Sequence, residues 1–265
     1  MTAEPANTAG EDLGELPAWD LTDLYPSATS DAFLADMRRC ADEAEQFEAQ
    51  FKGRLGEMMA SDPAGLGEAV RRYEELQERM GRVMSFAGLD YFADTSDPAR
   101  AKTFGDAQER MTAASSQLLF FELELNRLDD ALLDQAIAGE ATLRHYRPWL
   151  EDIRKEKPYQ LDDRIEQLFH DKSIVGRAAW NRLFDETLSS LEFTVAGRQL
   201  SIEPALNLLQ EGDRALREEA AREIGRVLGE NGRLFTLVTN TLAKDKQISD
   251  RWRGFQDVAQ SRHLA

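Results

Sequence analysis

Apolar residues recur at alternating spacings of three and four along three stretches in the first half of the chain. The first stretch begins after Ser30, whose hydroxyl can accept a hydrogen bond from an unpaired N–H at a helix start. The other two begin at Asp62-Pro63 and Asp97-Pro98, each a capping residue followed by a proline suited to the first helical turn. This pattern predicts three long amphipathic helices, and the short linkers predict that they pack antiparallel as helical hairpins.

The apolar stripe of each predicted helix forms one face, interrupted only by Gln77 in the second helix. We expect these residues to form the core: Phe33, Met37, Cys40, Ala44, Phe47 and Phe51; Leu66, Val70, Tyr73, Met80, Met84, Ala87 and Tyr91; Phe104, Ala107, Met111, Ala114, Leu118, Phe121, Leu125 and Leu128.

Shorter amphipathic segments follow from residue 129 onward. Gly139 ends the first of them, and Pro148 separates the next two because a proline disfavours helix at the residue before it. The predicted helical segments are 129–138, 140–147, 150–155, a face with Leu161, Ile165, Leu168 and Phe169, 178–188, a run that Asp213 caps (Leu216, Ala220, Ile224, Val227 and Leu228), and 234–248. In the segment 178–188 we expect four residues to face the core: Trp180, Leu183, Phe184 and Leu188.

One segment, residues 191–202, has the alternation of a β-hairpin instead. Leu191, Phe193 and Val195 alternate with polar residues, Gly197 turns the chain, and a second alternating run follows. An isolated two-stranded hairpin is only marginally stable, so we expect it to lie against helices.

The sequence therefore predicts a mostly α fold, a multi-helix bundle of long antiparallel helical hairpins with one small β-hairpin. We divide it into a disordered lead-in over residues 1–16, a long-helix hairpin subdomain over 17–128, and a region of shorter helices with the β-hairpin over 129–265.

Composition and charge narrow the choice of compartment and partners. The net charge of -17 repels phosphate groups, which argues against nucleic acid and anionic membranes as partners. No apolar run approaches the roughly 18 residues needed to cross a bilayer, and the first residues lack the features of a secretory signal. The single cysteine, Cys40, lies on an apolar stripe, so we interpret it as a buried, inert thiol in a reducing compartment. We predict a cytoplasmic protein.

No set of residues in the chain has the spacing of a catalytic or metal site. The three histidines, His145, His170 and His263, are far apart in sequence, and the chain contains no H-E-x-x-H. G-x-S-x-G and phosphate-loop patterns are also absent. Acid pairs such as Glu122/Glu124 and Asp162/Asp163 are typical of solvated helix faces, so we assign them no catalytic role. We predict no catalytic, cofactor-binding or metal-ligating residue in this chain.

The run from Trp19 to Tyr25, Trp-Asp-Leu-Thr-Asp-Leu-Tyr, resembles the N-terminal motif of the oligoendopeptidase F family, which belongs to the thimet-oligopeptidase-like zinc metallopeptidases. In physical terms, its apolar residues (Trp19, Leu21, Leu24 and Tyr25) can anchor the chain on the bundle while Asp20 or Thr22 caps a short turn. Later segments resemble the same family: Asp213-Arg214 with Arg217 and Ala221, Arg253-Gly254-Phe255, and Ser261-Arg262-His263-Leu264-Ala265.

This resemblance implies the N-terminal helical lobe of a cytoplasmic zinc endopeptidase that hydrolyses internal bonds of short peptides. We expect the chain to be truncated before the catalytic domain, to bind no zinc itself, and to be inactive alone. Its expected partners are the oligopeptide substrate of the parent protein and the missing C-terminal catalytic domain. We also expect an exposed apolar surface near residues 230–265 and a role for the lobe as one wall of a substrate cleft. The alternative is a non-enzymatic α-helical protein-interaction module, which the missing active site favours.

Overall fold

A computed structural model describes residues 19–95 and 97–264. The predicted lead-in over residues 1–16 lies outside the described residues. The described part is mostly helical and contains a single two-stranded antiparallel sheet, which confirms the predicted fold class.

The helices are α1 Asp31–Phe51, α2 Leu55–Ser61, α3 Pro63–Ala93, α4 Pro98–Arg127, α5 Asp130–Gly139, α6 Ala141–His145, α7 Arg147–Ile153, α8 Asp163–Lys172, α9 Ala179–Ser190, α10 Ile202–Asn207, α11 Arg214–Glu230, α12 Gly232–Arg253 and α13 Gln260–Leu264. The strands are β1 Phe193–Val195 and β2 Arg198–Leu200, and short helical turns span Arg154–Tyr159, Ile174–Ala178 and Leu208–Gln210.

The three long helices begin where the capping residues predict. The Ser30 hydroxyl accepts from the Phe33 N–H at 3.3 Å, and the Asp62 carboxylate accepts from the Gly65 N–H at 2.9 Å. At the start of α4, the Asp97 carboxylate accepts from a backbone N–H in the same way. These side chains pair backbone groups that a helix start leaves without partners.

Helices α1, α3 and α4 enclose one large core. The Phe47 ring of α1 lies 5.0 Å from the Phe121 ring of α4 and 6.0 Å from Tyr73 of α3, while Phe33 contacts Phe86 near the other end of α3. These contacts run in opposite directions along α1 and α3, so the two helices are antiparallel. Nearly all predicted stripe residues are buried; Met84 and Phe104 are only partly buried. Helices α5 to α7 add Leu133, Leu143 and Leu150 to the same core.

The short helix α2 was not predicted. It follows Gly53, whose φ of +77° lies in the left-handed region that glycine adopts without steric cost and which interrupts the helix after α1. The Gly53 N–H donates to Glu124 of α4 at 2.7 Å, which joins this turn to the bundle.

The predicted hairpin forms and lies against α10 and α11. Phe193 pairs with Leu200 across the two strands. The two turn residues, Ala196 and Gly197, both have positive φ, and a two-residue turn with this geometry matches the twist of the strands that it joins. Phe193 is fully buried with residues of α10 and α11 in a second, smaller core: Ala205, Ile224 and Val227. The other edge of β1 is covered by α11, because the Thr194 and Ala196 N–H groups donate to carboxylates of that helix.

Helices α9 and α12 differ from the sequence-based prediction. The described residues do not bury the expected core face of α9, since Leu183 and Phe184 are each 38% exposed and Trp180 and Leu188 are only partly covered. Helix α12 is longer than predicted, and among its residues only Val238 is buried. Both helices are amphipathic, but the described residues supply little that covers their apolar faces.

Candidate functional site

The N-terminal motif forms a capped turn. The Asp20 carboxylate accepts from the Thr22 N–H at 3.0 Å and from the Thr22 hydroxyl at 2.6 Å, so the predicted capping of a short turn is confirmed. Leu21 and Leu24 pack against the large core, while Trp19 is 68% exposed. The predicted anchoring therefore does not hold for Trp19, because the residues that the structure describes leave most of its side chain exposed.

Tyr25 is the residue that anchors this motif. Its hydroxyl donates to the Asp36 carboxylate at 2.8 Å and accepts from Arg82 Nε at 3.1 Å, and the Arg82 guanidinium lies 4.9 Å from the Tyr25 ring centre. Burial and the bond to Asp36 raise the pKa of Tyr25 to about 12. Burial alone raises the pKa of Asp36, but the hydrogen bonds from Tyr25 and Arg82 outweigh it and hold the pKa below its usual range. Asp36 is thus a paired structural carboxylate.

The four acids considered in the sequence each bind a neighbouring group. Their contacts hold helices together or cap them: Glu122 accepts from the Tyr73 hydroxyl at 2.8 Å, Glu124 from the Gly53 N–H, Asp162 from the Arg164 N–H at 3.1 Å at the start of α8, and Asp163 pairs with Arg127 of α4. These structural roles agree with the absence of a catalytic assignment, which stays a prediction.

The histidines and the cysteine lie apart from one another. His145 and His263 are exposed on α6 and α13, and His170 is half-buried on α8. Within residues 19–95 and 97–264, no group of three or more His, Cys, Asp or Glu side chains could hold a metal ion. Cys40 is fully buried, and burial raises the pKa of its thiol to about 11, so it is a poor nucleophile near neutral pH.

Most of the exposed large apolar side chains among the described residues lie in the second half of the chain. Of the twelve exposed large hydrophobic residues recorded in the described part, nine lie beyond residue 160, since only Trp19, Phe92 and Leu132 precede it. We use "apolar surface" for five of these on α8, α9 and α12: Leu168, Leu183, Phe184, Leu237 and Trp252. Ring contacts join the three helices, with Phe169 6.4 Å from Trp252 and Phe184 5.4 Å from Phe235. Exposed apolar side chains that are grouped on helices in contact with one another are typical of an interaction surface.

Two polar contacts in the second half of the chain were not predicted from the sequence. Arg253 at the end of α12 binds Glu166 of α8 through both guanidinium nitrogens, each at 2.7 Å. Arg154 donates to the carbonyl oxygens of Leu125 at 2.7 Å and Leu128 at 2.8 Å, and thereby caps α4. The resemblance of Arg253-Gly254-Phe255 to a family motif was the only sequence signal, and it did not identify the partner residue.

Among the described helices, none combines the length and the apolar character that crossing a lipid bilayer requires.

Comparisons with known proteins agree on one family. A family model described as Oligopeptidase F matches residues 124–193. Oligopeptidase PepF of Bacillus subtilis (strain 168) is 23% identical over 236 residues, which are 86% of this chain and 34% of that protein. The crystal structure of oligoendopeptidase-F from Enterococcus faecium superposes with a TM-score of 0.77 at 20% identity, covering 88% of this chain and 46% of that one.

The chain therefore spans about a third of the length of the curated relative that it matches, 34%. The likeness to the solved structure supports the fold, and together the three comparisons match the chain to the N-terminal part of the oligoendopeptidase F family. The resemblance predicted from the Trp19–Tyr25 motif and the later segments is confirmed.

Proposed function

We propose that this chain, as the N-terminal part of an oligoendopeptidase F-type protein, is the helical lobe of a zinc-dependent endopeptidase that hydrolyses internal bonds of short peptides, and that the lobe alone is inactive. The observation that carries the proposal is the match to Oligopeptidase PepF over 86% of the chain, which takes up only 34% of that protein. The remaining length of such a protein has room for a catalytic domain. We use "parent protein" for the longer chain to which the lobe would belong.

The described residues do not fit a zinc site. Catalytic zinc needs about three protein ligands at once, usually histidine nitrogens and a carboxylate. His145, His170 and His263 lie on three different helices, and no cluster of potential ligands forms among the described residues. We therefore assign the zinc and its activated water to the rest of the parent protein, and no metal-dependent step to residues of this lobe.

The partner that we propose for the apolar surface is the remainder of the parent protein. Helices α9 and α12 present Leu183, Phe184, Leu237 and Trp252 to solvent, and large apolar and aromatic side chains are the ones that dominate protein interfaces. A partner that covers them would complete the apolar packing that α9 and α12 lack here.

Within the parent protein, we propose that the lobe forms one wall of the substrate cleft and restricts access to oligopeptides. The lobe is helix-rich, and its described residues form no cluster of potential metal ligands, which suits a role in shape and access. The net charge of -17 disfavours nucleic acid and anionic membranes, and we propose a cytoplasmic location.

The first test is to sequence the gene beyond the codon for Ala265 and assay the full-length product. We expect an H-E-x-x-H motif, hydrolysis of an internally quenched oligopeptide that a chelator abolishes, and no stoichiometric zinc in the isolated chain by elemental analysis. A stop codon after Ala265, with peptide hydrolysis absent, would overturn the proposal and favour a free-standing helical interaction module.

The partner assignment has its own test by amide hydrogen exchange. In the full-length protein we expect α9 and α12 to exchange more slowly than in the isolated chain, because a covered apolar face opens less often. Helix α4, already enclosed in the large core, serves as the internal control and should exchange equally in both. Equal exchange of α9 and α12 in both proteins would contradict the assignment. Concentration-dependent slowing in the isolated chain alone would instead indicate a second copy as the partner.

A further inference from the structure

The end of α12 is held mainly by polar contacts. Among the residues of α12, only Val238 is buried, so the stretch from 239 to 253 has no buried apolar side chain of its own. At its end, Arg253 donates to both Glu166 carboxylate oxygens at 2.7 Å and to the Tyr159 carbonyl oxygen at 3.2 Å. Glu166 is only 7% exposed and also accepts from the Leu161 N–H at 2.8 Å. Both oxygens of this carboxylate thus accept hydrogen bonds from donors on other segments of the chain.

The residues after Arg253 continue the same contact. Gly254 adopts φ +77° and ends α12, which turns the chain back toward α8. The Phe255 ring then lies 4.4 Å from the Tyr159 ring, and Gln260 Nε2 donates to the Tyr159 hydroxyl at 2.6 Å. Helix α13 is thereby joined to the segment that precedes α8.

That segment is in turn fixed to the large core. Arg154 and Gln160 donate to backbone carbonyl oxygens at the end of α4, the latter to Leu123 at 3.1 Å. Asp163 at the start of α8 pairs with Arg127 of α4, and Asp171 near its end accepts from Ser116 at 2.7 Å. A continuous set of polar contacts therefore leads from α4 through α8 to the end of α12.

We propose that the Arg253–Glu166 pair is a clasp that positions the end of α12 and α13 relative to the large core. The planar guanidinium binds a carboxylate in one orientation through two parallel hydrogen bonds, whereas a single charge contact leaves the angle free. Because Leu237 and Trp252 lie on α12, the clasp also fixes the direction in which α12 presents its part of the apolar surface. This functional consequence rests on the proposed function, in which the rest of a peptidase covers that surface.

Distance measurement between two spin labels by double electron–electron resonance tests the clasp in the isolated chain. Spin labels at Glu109→Cys on α4 and Arg262→Cys on α13 occupy exposed positions, while fully buried Cys40 stays unlabelled. We expect one narrow distance distribution, which becomes about twofold broader in Arg253→Lys because lysine keeps the charge but loses the two-point geometry. Arg251→Lys, an exposed residue of the same helix, is the matched control and should leave the distribution narrow.

Two results would decide the proposal. Glu166→Gln should broaden the distribution as Arg253→Lys does, since it removes the charge that orients the guanidinium. An unchanged width in both variants, with normal helix content by circular dichroism, would overturn the clasp.

The functional consequence is measured separately in the full-length protein. We expect Arg253→Lys to lower kcat/KM for oligopeptide hydrolysis about tenfold, because small misplacements across a site reduce rates. Arg251→Lys should have no effect. If the distance distribution broadens while kcat/KM is unchanged, the result would support the clasp but contradict its role in the peptidase. If the full-length protein has no peptidase activity, the proposed function is contradicted, but the distance measurement on the isolated chain still tests the clasp.

Discussion

Helices α4 and α12 are both long and amphipathic, but their surroundings are very different. Helix α4 buries residues on a continuous stripe, from Ala107 through Phe121 to Leu125, against α1 and α3. Helix α12 buries only Val238 and leaves Leu237 and Trp252 about half exposed, at 53% and 52%. The difference shows that an apolar stripe specifies a face to be covered, while its burial depends on whether the chain itself provides the covering element.

The energetic consequence follows from the area removed from water. Full burial of a large apolar side chain stabilises a fold by about 1.5–3 kcal/mol. Many large apolar side chains are fully buried between α1, α3 and α4, and each adds this stabilisation. Helices α9 and α12 bury few such side chains and depend more on polar contacts such as the Arg253–Glu166 pair. We therefore expect the same kind of substitution to have unequal effects in the two regions.

Phenylalanine truncation should give the largest contrast. Phe121 is fully buried, with its ring 5.0 Å from Phe47 and 4.8 Å from Tyr73, so Phe121→Ala should lower the free energy of unfolding by about 3–5 kcal/mol. Phe184→Ala, at a residue 38% exposed, should cost about 1 kcal/mol or less. Urea denaturation of both variants measures the difference, and equal losses would contradict the comparison.

Removal of a buried hydroxyl should have the next largest effect. Tyr25→Phe deletes the donor to Asp36, which leaves a 7% exposed carboxylate with fewer partners, and should cost about 1–2 kcal/mol. Tyr146→Phe is the matched control, because the Tyr146 hydroxyl binds Glu74 at a position open to solvent. Its cost should be about 0.5 kcal/mol or less by the same denaturation measurement. A larger loss for Tyr146→Phe would argue against Tyr25 as the anchor.

Acid should weaken the Glu166 contact in a defined pH window. Burial alone raises the pKa of Glu166, but the hydrogen bonds from Arg253 and the Leu161 N–H bring the pKa in the folded state below its ordinary value. The stabilisation is therefore fully present at pH values above that ordinary pKa and is lost as the pH falls through the lower pKa of the folded state.

The measurement compares wild type with Glu166→Gln at pH 6 and at pH 3. The difference in unfolding free energy should be about 1 kcal/mol at pH 6 and should shrink at pH 3. Glu230→Gln on α11, at an exposed ion pair, should show no such change. A difference that grows on acidification would reverse the sign and contradict the assignment.

Two neighbouring residues of α12 should give the smallest and most local contrast. Leu237→Ser should change the stability of the isolated chain by about 0.5 kcal/mol or less, because the side chain is already 53% exposed. Val238→Ala, at a residue 2% exposed, should cost about 1 kcal/mol or more. If Leu237→Ser destabilises the full-length protein more than the isolated chain, the apolar surface is covered there. Equal small effects in both would indicate that it stays exposed.

Much of the fold could be predicted because its determinants are local. Ser30, Asp62 and Asp97 cap the helices that they were predicted to start, and the turn at Gly197 places β1 opposite β2. The absence of a recognisable catalytic constellation was also a sequence-based prediction, and it remains one. The pairing of Glu166 with Arg253 could not be predicted, since the two residues lie 87 positions apart and many acids could have met that arginine.

The amino-acid sequence was enough to predict which residues lie on the apolar face of each helix, where the long helices begin, and which family the chain resembles. Those properties depend on spacing, capping and motif, all of which are encoded over a few residues. The packed fold was needed to show that the described residues leave Trp19 and the face of α9 largely uncovered, that Tyr25 is the anchor, and that Arg253 pairs with Glu166. Burial and ion pairing depend on which distant elements meet, and that is set by packing of the whole molecule.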